Sequence, residues 1–346
     1  MNRRIIAVTA MEILDSRGYP TLRVFVDLAD GMRGVASVPA GASTGREEAK
    51  ELRDGPAKAY DRNRYGGRGV RLAIDSVQLA IAEALRYRDP VDQAVIDQIL
   101  IELDGTPDKS RLGANAILGA SMAVACAAAK AMAIPLYAHL GGPAACYLPV
   151  PMMNVINGGQ HADNTLDFQE FMIPHGAGSY GEALRSGTEI YHALKRLLGS
   201  NGYETAVGDE GGVAPNLRSN EEACALIVEA IGAAGYEPGR DVAIALDPAA
   251  SSFWSGDHYE LAKSGGGRKN SSEMTAFYAA WFGRDRRHVH CRSRSRDGRP
   301  ADQGRCAVPG RAGRKIQSPP GNRTRTRCCR PLREPLPQSR RRHRGC

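Results

Sequence analysis

Three carboxylate-bearing segments near the middle of the chain have residue types suited to acid–base chemistry or cation binding. Gln169-Glu170 lies in an apolar run, where an unpaired carboxylate is costly because burial disfavours its charge. Asp209-Glu210 is framed by glycines, which let the backbone approach a ligand closely. Asp247 ends the apolar run 241–247. In isolation, each segment also has an ordinary structural interpretation: an exposed strand face, an acidic turn and a strand-ending Asp.

Two glycine-containing loops complete the set of candidates. Asn157-Gly158-Gly159-Gln160-His161 is a polar loop after a strand-like run, although a lone His is more often structural than catalytic. Gly41-Ala42-Ser43-Thr44-Gly45 matches the G-x-S-x-G nucleophile pattern. It follows antiparallel strands instead of a central parallel strand, so we reject a serine hydrolase and interpret it as a mobile loop.

The elements that position these residues fall into two groups. Residues 5–38 predict antiparallel strands separated by turns, and the 3.6-residue periodicity from Val77 to Ala133 predicts helices, which together indicate an α+β domain. From Leu148 strands and helices alternate, which predicts an α/β barrel of parallel strands that stops partway round. The end of a barrel strand is where active sites form, and Asp247 lies there. We place the domains at residues 1–140 and 141–281.

The composition changes abruptly near Trp281. Residues 282–346 contain 19 Arg and one Lys against four acidic residues, a net charge of +16, whereas the preceding residues carry −8. The few aliphatic residues of this tail follow no regular period, and burial at ~25 cal/mol per Å² cannot offset the entropy of ordering them. We expect the tail to be disordered.

Composition also excludes some classes of protein. No apolar run approaches the ~20 residues of a membrane span, and the apolar stretch 116–134 fits a buried helix better. The N-terminus lacks the pattern of a signal peptide, so we predict a cytoplasmic protein. Cys126, Cys146 and Cys224 have no metal-ligand spacing, and we expect buried, reduced thiols.

Taken in order, the motifs are specific although each is weak alone. They resemble the enolase family over residues 1 to about 281, and the tail has no counterpart. The segments that carry the resemblance are Glu12–Gly18, Gly41–Gly45, Glu51–Gly55, Leu112–Gly119, Pro151–Gly159, Gln169–Met172, Val207–Gly212 and Ala245–Asp247.

The resemblance implies an α/β fold, an N-terminal α+β domain followed by an incomplete enolase-type α/β barrel, and the reversible dehydration of 2-phosphoglycerate to phosphoenolpyruvate with Mg²⁺. By motif, Glu210 is the general acid and Glu170 supports it. His161 and Gln169 contact the substrate. Asp247 and, on the mobile loop, Ser43 are ligands of Mg²⁺, a cation that prefers oxygen donors. Enolases are typically homodimers.

The pattern departs from the family mainly after residue 281. The resemblance implies a catalytic Lys, two further magnesium carboxylates and a His-Arg-Ser segment later in the chain, and nothing in residues 282–346 supplies them. A GC-rich gene read out of frame yields Arg, Pro and Cys with little Lys, which is the composition of the tail. We therefore infer a reading-frame slip near codon 282 and expect negligible activity.

One alternative concerns a different class of function. Arg runs such as Arg340–Arg342 could bind nucleic acid or another anionic surface, although no aromatic residues are interleaved with them. A flat dependence of DNA affinity on salt would remove this alternative, because phosphate binding releases counterions.

Overall fold

The computed structural model describes residues 2–41, 45, 47–55, 64–142, 145–176, 178–208, 211–284 and 289–291, with the backbone alone at 280–284 and 289–291. The N-terminal part opens with an antiparallel meander ordered β1-β2-β3. The strands are β1 (Ile5–Leu14), β2 (Pro20–Leu28) and β3 (Arg33–Ser37). Gly18 and Gly31 occupy the turns with positive φ, which glycine adopts without a steric penalty. The predicted strands are therefore confirmed.

Helices cover one face of this meander. They are α1 (Arg71–Ser76), α2 (Ala82–Leu85), α3 (Gln93–Asp104), α4 (Ala114–Ala131) and α5 (Leu136–Gly141), with a π-helical turn at Val77–Ile81. The predicted apolar faces are buried, as Val77, Ile81 and Leu85 on the first and Ile96 and Leu100 on the next are fully shielded. By length and composition α4 could span a membrane, but 67% of it is buried. It packs against β2 and β3 as the expected core helix.

The second part contains a mixed sheet ordered β4-β5-β6-β9 and a hairpin, β7-β8. Its strands are β4 (Met152–Asn157), β5 (Glu170–Pro174), β6 (Ile244–Asp247), β7 (Tyr259–Leu261), β8 (Gly267–Lys269) and β9 (Val289–Cys291). Its helices are α6 (Tyr180–Ser200), α7 (Asn220–Ala233) and α8 (Ser271–Arg284). The buried apolar residues of this part form a cluster separate from that of the N-terminal part.

The prediction of parallel strands was wrong for β5. This strand is antiparallel to both β4 and β6, whereas β6 and β9 pair in parallel. The connections explain the directions. Among the described elements, no helix lies between β4 and β5, and α6 and α7 lie between β5 and β6. A 3-10 turn, the β7-β8 hairpin and then α8 lie between β6 and β9.

Two other expectations need correction. Residues 282–284 end α8 and residues 289–291 form β9, so these residues of the tail are structured. The expected disorder of residues 292–346 lies outside the described residues, and the domain boundaries at 140 and 281 stay predictions. Cys146 is exposed, whereas Cys126 and Cys224 are partly buried, and all three are free thiols. Burial raises the pKa of the Cys224 thiol to about 12.

Candidate active site

Three polar side chains form one row across the sheet. Asn157 at the end of β4 pairs with Glu170 at the start of β5, and Glu170 pairs with Asp247 at the end of β6. Residues directly opposite each other in an antiparallel pair lie on the same face of the sheet. The reversed direction of β5 therefore brings its first residue beside the last residues of its two neighbours.

His161 lies against this row. Its Nδ1 is 3.5 Å from Oε1 of Glu170, and the two side chains are only 4% and 19% exposed. The His161 amide donates to the carbonyl of Gly158 at 2.9 Å, which turns the loop back towards the sheet. The imidazole of His161 and the carboxylate of Glu170 therefore lie side by side in a mostly shielded place.

The loop that carries His161 depends on two glycines. The amide of Gly158 donates to the carbonyl of Gln169 at 3.0 Å, and that of Gly159 donates to the carbonyl of Leu166 at 2.9 Å. A Cβ at Gly158 would lie 2.4 Å from the Phe168 carbonyl oxygen, and Gly159 has a φ of +53°. A larger residue at either position would displace the loop and His161 with it.

Gln169 is buried immediately before β5. Its amide donates to the carbonyl of Asp247 at 3.2 Å. Its side-chain Oε1 has no hydrogen-bond partner among the described residues, although it is shielded from solvent. An unsatisfied buried acceptor costs about 1–3 kcal/mol, so such an atom needs a reason to persist.

Asp247, the predicted magnesium ligand, is the last residue of β6. Its Oδ1 accepts a hydrogen bond from the amide of Ala249 at 2.9 Å, which fixes the side chain at the end of β6. Among the described residues no group of three His, Cys, Asp or Glu side chains is placed to hold a metal ion. The described part of the chain therefore does not by itself provide the oxygen ligands that Mg²⁺ requires.

Glu210 and Ser43 lie outside the described residues, but the segments that flank Glu210 are described. The amide of Gly208 donates to the carbonyl of Gly212 at 3.0 Å, and the amide of Val213 donates to the carbonyl of Val155 at 2.9 Å. The side-chain amide of Asn157 donates to the carbonyl of Gly211. Both ends of the glycine-framed loop are thus fastened beside the end of β4, next to the row.

Two residues that anchor the loop of His161, Asp167 and Lys263, were not predicted from the sequence. Asp167, which is 5% exposed, accepts hydrogen bonds from the amides of Lys263 and Ser264 at 2.9 and 3.0 Å and from the Ser264 hydroxyl. The ammonium of Lys263 donates to the carbonyls of Gly159 and Ala162 at 2.6 and 3.2 Å. Together they tie the segment between β7 and β8 to the loop of His161. The position of Asp167 next to an apolar run could have identified it as a buried, hydrogen-bonded residue. The local sequence of Lys263 contains no such signal.

An open cavity of about 280 Å³ adjoins this anchored loop. Its lining residues are Gly159, Gln160, Asp167, Ser252, Phe253, Trp254, Ser255, Glu260, Ala262 and Lys263. The cavity is lined by polar groups and by the aromatic rings of Phe253 and Trp254.

Comparison with known proteins bears on both parts of the chain. The family model described as Enolase, N-terminal domain matches residues 5–140, and the one described as Enolase, C-terminal TIM barrel domain matches residues 145–283. Enolase 1 of Methylococcus capsulatus is 58% identical over 283 residues, which is 82% of this chain and 66% of the relative. Enolase of Desulfotalea psychrophila is 57% identical over 286 residues, with the same shares.

These matches run without a large gap from the first strand to the end of α8. The chain spans 66% of the length of the curated relatives it matches. The second of the two family models is described as a TIM barrel domain, and the sheet that contains β4, β5 and β6 lies within the residues it matches. Over residues 5–283, this chain belongs to the enolase family.

Proposed function

We propose that residues 5–283 carry one part of an active site for the reversible dehydration of 2-phosphoglycerate to phosphoenolpyruvate, a carbon–oxygen lyase reaction of glycolysis. The observation that carries this proposal is the row of Asn157, Glu170 and Asp247 with His161 beside it. These polar groups come together at one edge of a sheet whose interior is apolar. The family to which the chain belongs gives the row its chemistry.

In this proposal each described side chain has a distinct task. Glu210 on the glycine-framed loop is the general acid that protonates the departing hydroxide, and Glu170 supports it. His161, whose Nδ1 lies 3.5 Å from Oε1 of Glu170, contacts the substrate. The unsatisfied Oε1 of Gln169 is an acceptor for a donor group of the substrate.

Magnesium is part of the same proposal, with Asp247 and Ser43 among its ligands. When bound, the ion stabilises the negative charge that forms on the substrate carboxylate. The described residues do not complete such a site. The missing ligands and the base belong, by family resemblance, to the part of the relatives that this chain does not match. We therefore expect the chain as written to form phosphoenolpyruvate at a negligible rate.

A chimera tests whether these residues do the chemistry. Residues 1–283 are joined to the C-terminal third of the Methylococcus relative, and phosphoenolpyruvate formation is followed by absorbance. We expect an active chimera in which Glu170→Gln or His161→Ala lowers kcat by about 100-fold or more. Glu204→Gln, at an exposed position, is the matched control and leaves kcat unchanged. A folded chimera without activity, or with equal effects of Glu170→Gln and Glu204→Gln, would refute the proposal.

We also propose that the tail arises from a slip of the reading frame. The codons themselves support one of the two other frames. His290 and Cys291 are encoded by CAY and UGY, and the codon that starts at the third base of His290 is UUG or CUG, both of which encode Leu. With CGN arginines and UCN serines, the residues that follow this Leu are Ser or Pro, then an aliphatic residue or Phe, then a small residue, then again an aliphatic residue or Phe.

That alternation is the pattern of a β-strand with one buried face. It falls in the region where the short β9 pairs with β6, directly after α8. The composition of residues 282–346 and the hidden strand pattern therefore support the same origin of the tail. Sequencing the gene tests it. We expect UCN codons at Ser293 and Ser295, whereas AGY codons at both would eliminate this frame.

The homodimer and the cytoplasmic location remain proposals drawn from the family. Sedimentation of the active chimera tests the former, and a strictly monomeric chimera would contradict it.

A further inference from the structure

The segment that leads into β4 exposes an unusual run of apolar side chains. We define the β4 approach segment as residues 147–152. Within it Tyr147 is 90% exposed, Leu148 75%, Val150 53% and Met152 46%. Single exposed apolar residues are common on protein surfaces, but four within six residues form a contiguous patch, which usually marks a binding surface.

The neighbouring edge of β4 is only partly paired. One edge of the strand bonds to β5 along its length. On the other edge, the described residues contribute Val213, which exchanges hydrogen bonds with Val155 and Asn157. The N-terminal half of β4, from Met152 to Asn154, therefore presents backbone groups without a described strand partner. Exposed strand edges of this kind bind further strands.

The fold indicates what fits this surface. A TIM barrel closes with eight strands, so that its first strand pairs with its last. The described sheet has four strands, with β4 at one edge. The relatives contain a further third that this chain does not match. Their last strand and the helices around it are the natural cover for the β4 edge and the approach segment.

We propose that the β4 approach segment and the open edge of β4 bind, as a separate polypeptide, the C-terminal third of an enolase-family chain. The partner adds a strand beside Met152–Asn154 and packs an apolar surface on Tyr147, Leu148 and Val150. The interaction rests on family membership and on the exposed surface, and it does not depend on catalytic activity.

Co-expression tests the proposal with the full chain as it exists. The 346-residue chain is produced together with the C-terminal third of the Methylococcus relative, and the two are separated by size-exclusion chromatography. We expect co-elution at equal stoichiometry. Leu148→Asp lowers the affinity by about 30-fold, the loss typical of a central interface residue.

Leu79→Asp is the matched control, because Leu79 is 72% exposed but belongs to the π-helical turn of the N-terminal part. It should leave binding unchanged. Failure to co-elute, or equal affinity losses for the two variants, would overturn the proposal. So would self-association of the chain that Leu148→Asp abolishes while the added polypeptide stays unbound.

The complex also separates this proposal from the proposed function. Co-elution without phosphoenolpyruvate formation would leave the binding surface established and count against the catalytic roles of Glu170 and His161. Turnover by the complex would support both.

Discussion

Substitution of Asp167 tests most directly how the loop of His161 is anchored to the segment between β7 and β8. Its carboxylate is 5% exposed and accepts hydrogen bonds from the Lys263 amide, the Ser264 amide and the Ser264 hydroxyl. In an Asp167→Ala variant these donors lose their acceptor in a shielded place. Each unsatisfied buried group costs about 1–3 kcal/mol, and water entering the open cavity recovers part of that cost.

We therefore expect Asp167→Ala to lower the free energy of unfolding by about 3 kcal/mol. If the free energy of unfolding falls by ~3 kcal/mol for each 1 M of urea, the midpoint of urea unfolding shifts down by about 1 M. Fluorescence of Trp254, which lines the cavity beside Asp167, is a suitable probe of unfolding.

The matched control is Asp163→Ala, in the same loop but at an exposed position. Surface substitutions of this kind change stability by about 0.5 kcal/mol or less. If the two variants unfold at the same urea concentration, the anchoring role assigned to Asp167 is wrong.

Three further predictions concern stability. Ser219→Ala should lower the free energy of unfolding by about 1 kcal/mol in urea titrations, because the hydroxyl caps α7 by accepting from the Glu222 amide; an unchanged midpoint would contradict this. The Arg218 guanidinium lowers the pKa of Glu222 from 4.5 to about 2. The stability that the Glu222 carboxylate contributes to the fold is therefore complete above pH 4.5 and is lost as pH falls towards 2. Across that pH range the Tm of Glu222→Gln should therefore depend less on pH than the Tm of the unsubstituted chain, and an equal pH dependence would contradict this. Mg²⁺ should leave the Tm of the chain unchanged, whereas an ion that binds the folded chain and is present at 100 times its Kd would raise the free energy of unfolding by ~2.7 kcal/mol.

Local sequence signals predicted much of the fold. A Ser with a Glu three residues later is a sequence signal for the start of a helix, and Ser219 and Glu222 stand in this relation at the start of α7, where the Ser219 hydroxyl accepts from the Glu222 amide. The carboxylate of Glu222 accepts from the Arg218 amide, one residue before the capping position. Such signals succeed because a cap depends on neighbours within one turn.

The direction of β5 could not be predicted in the same way. Apolar periodicity identifies a strand but not its partners, and the reversal of β5 follows from the number of helices on each side of it. This reversal puts Glu170 opposite both Asn157 and Asp247. The local sequence marks Glu170 and Asp247 as two separate candidates, and only the strand register shows that they lie in one row.

Long-range anchors were the least predictable feature of the site. Lys263 lies about a hundred positions from the carbonyls of Gly159 and Ala162 that it binds. Nothing in its local sequence distinguishes it from an ordinary surface lysine. Contacts of this kind depend on tertiary packing. The roles of Glu210 and Ser43 stay predictions because both residues lie outside the described part of the chain.

We propose that this chain holds one part of an enolase active site and lacks the rest because the reading frame changes near codon 282. The most direct measurement compares phosphoenolpyruvate formation by the chain as written with that by the product of the same gene after its frame is restored near codon 282. We predict activity only for the restored product. Equal turnover by the two, or a folded restored product without activity, would contradict the account.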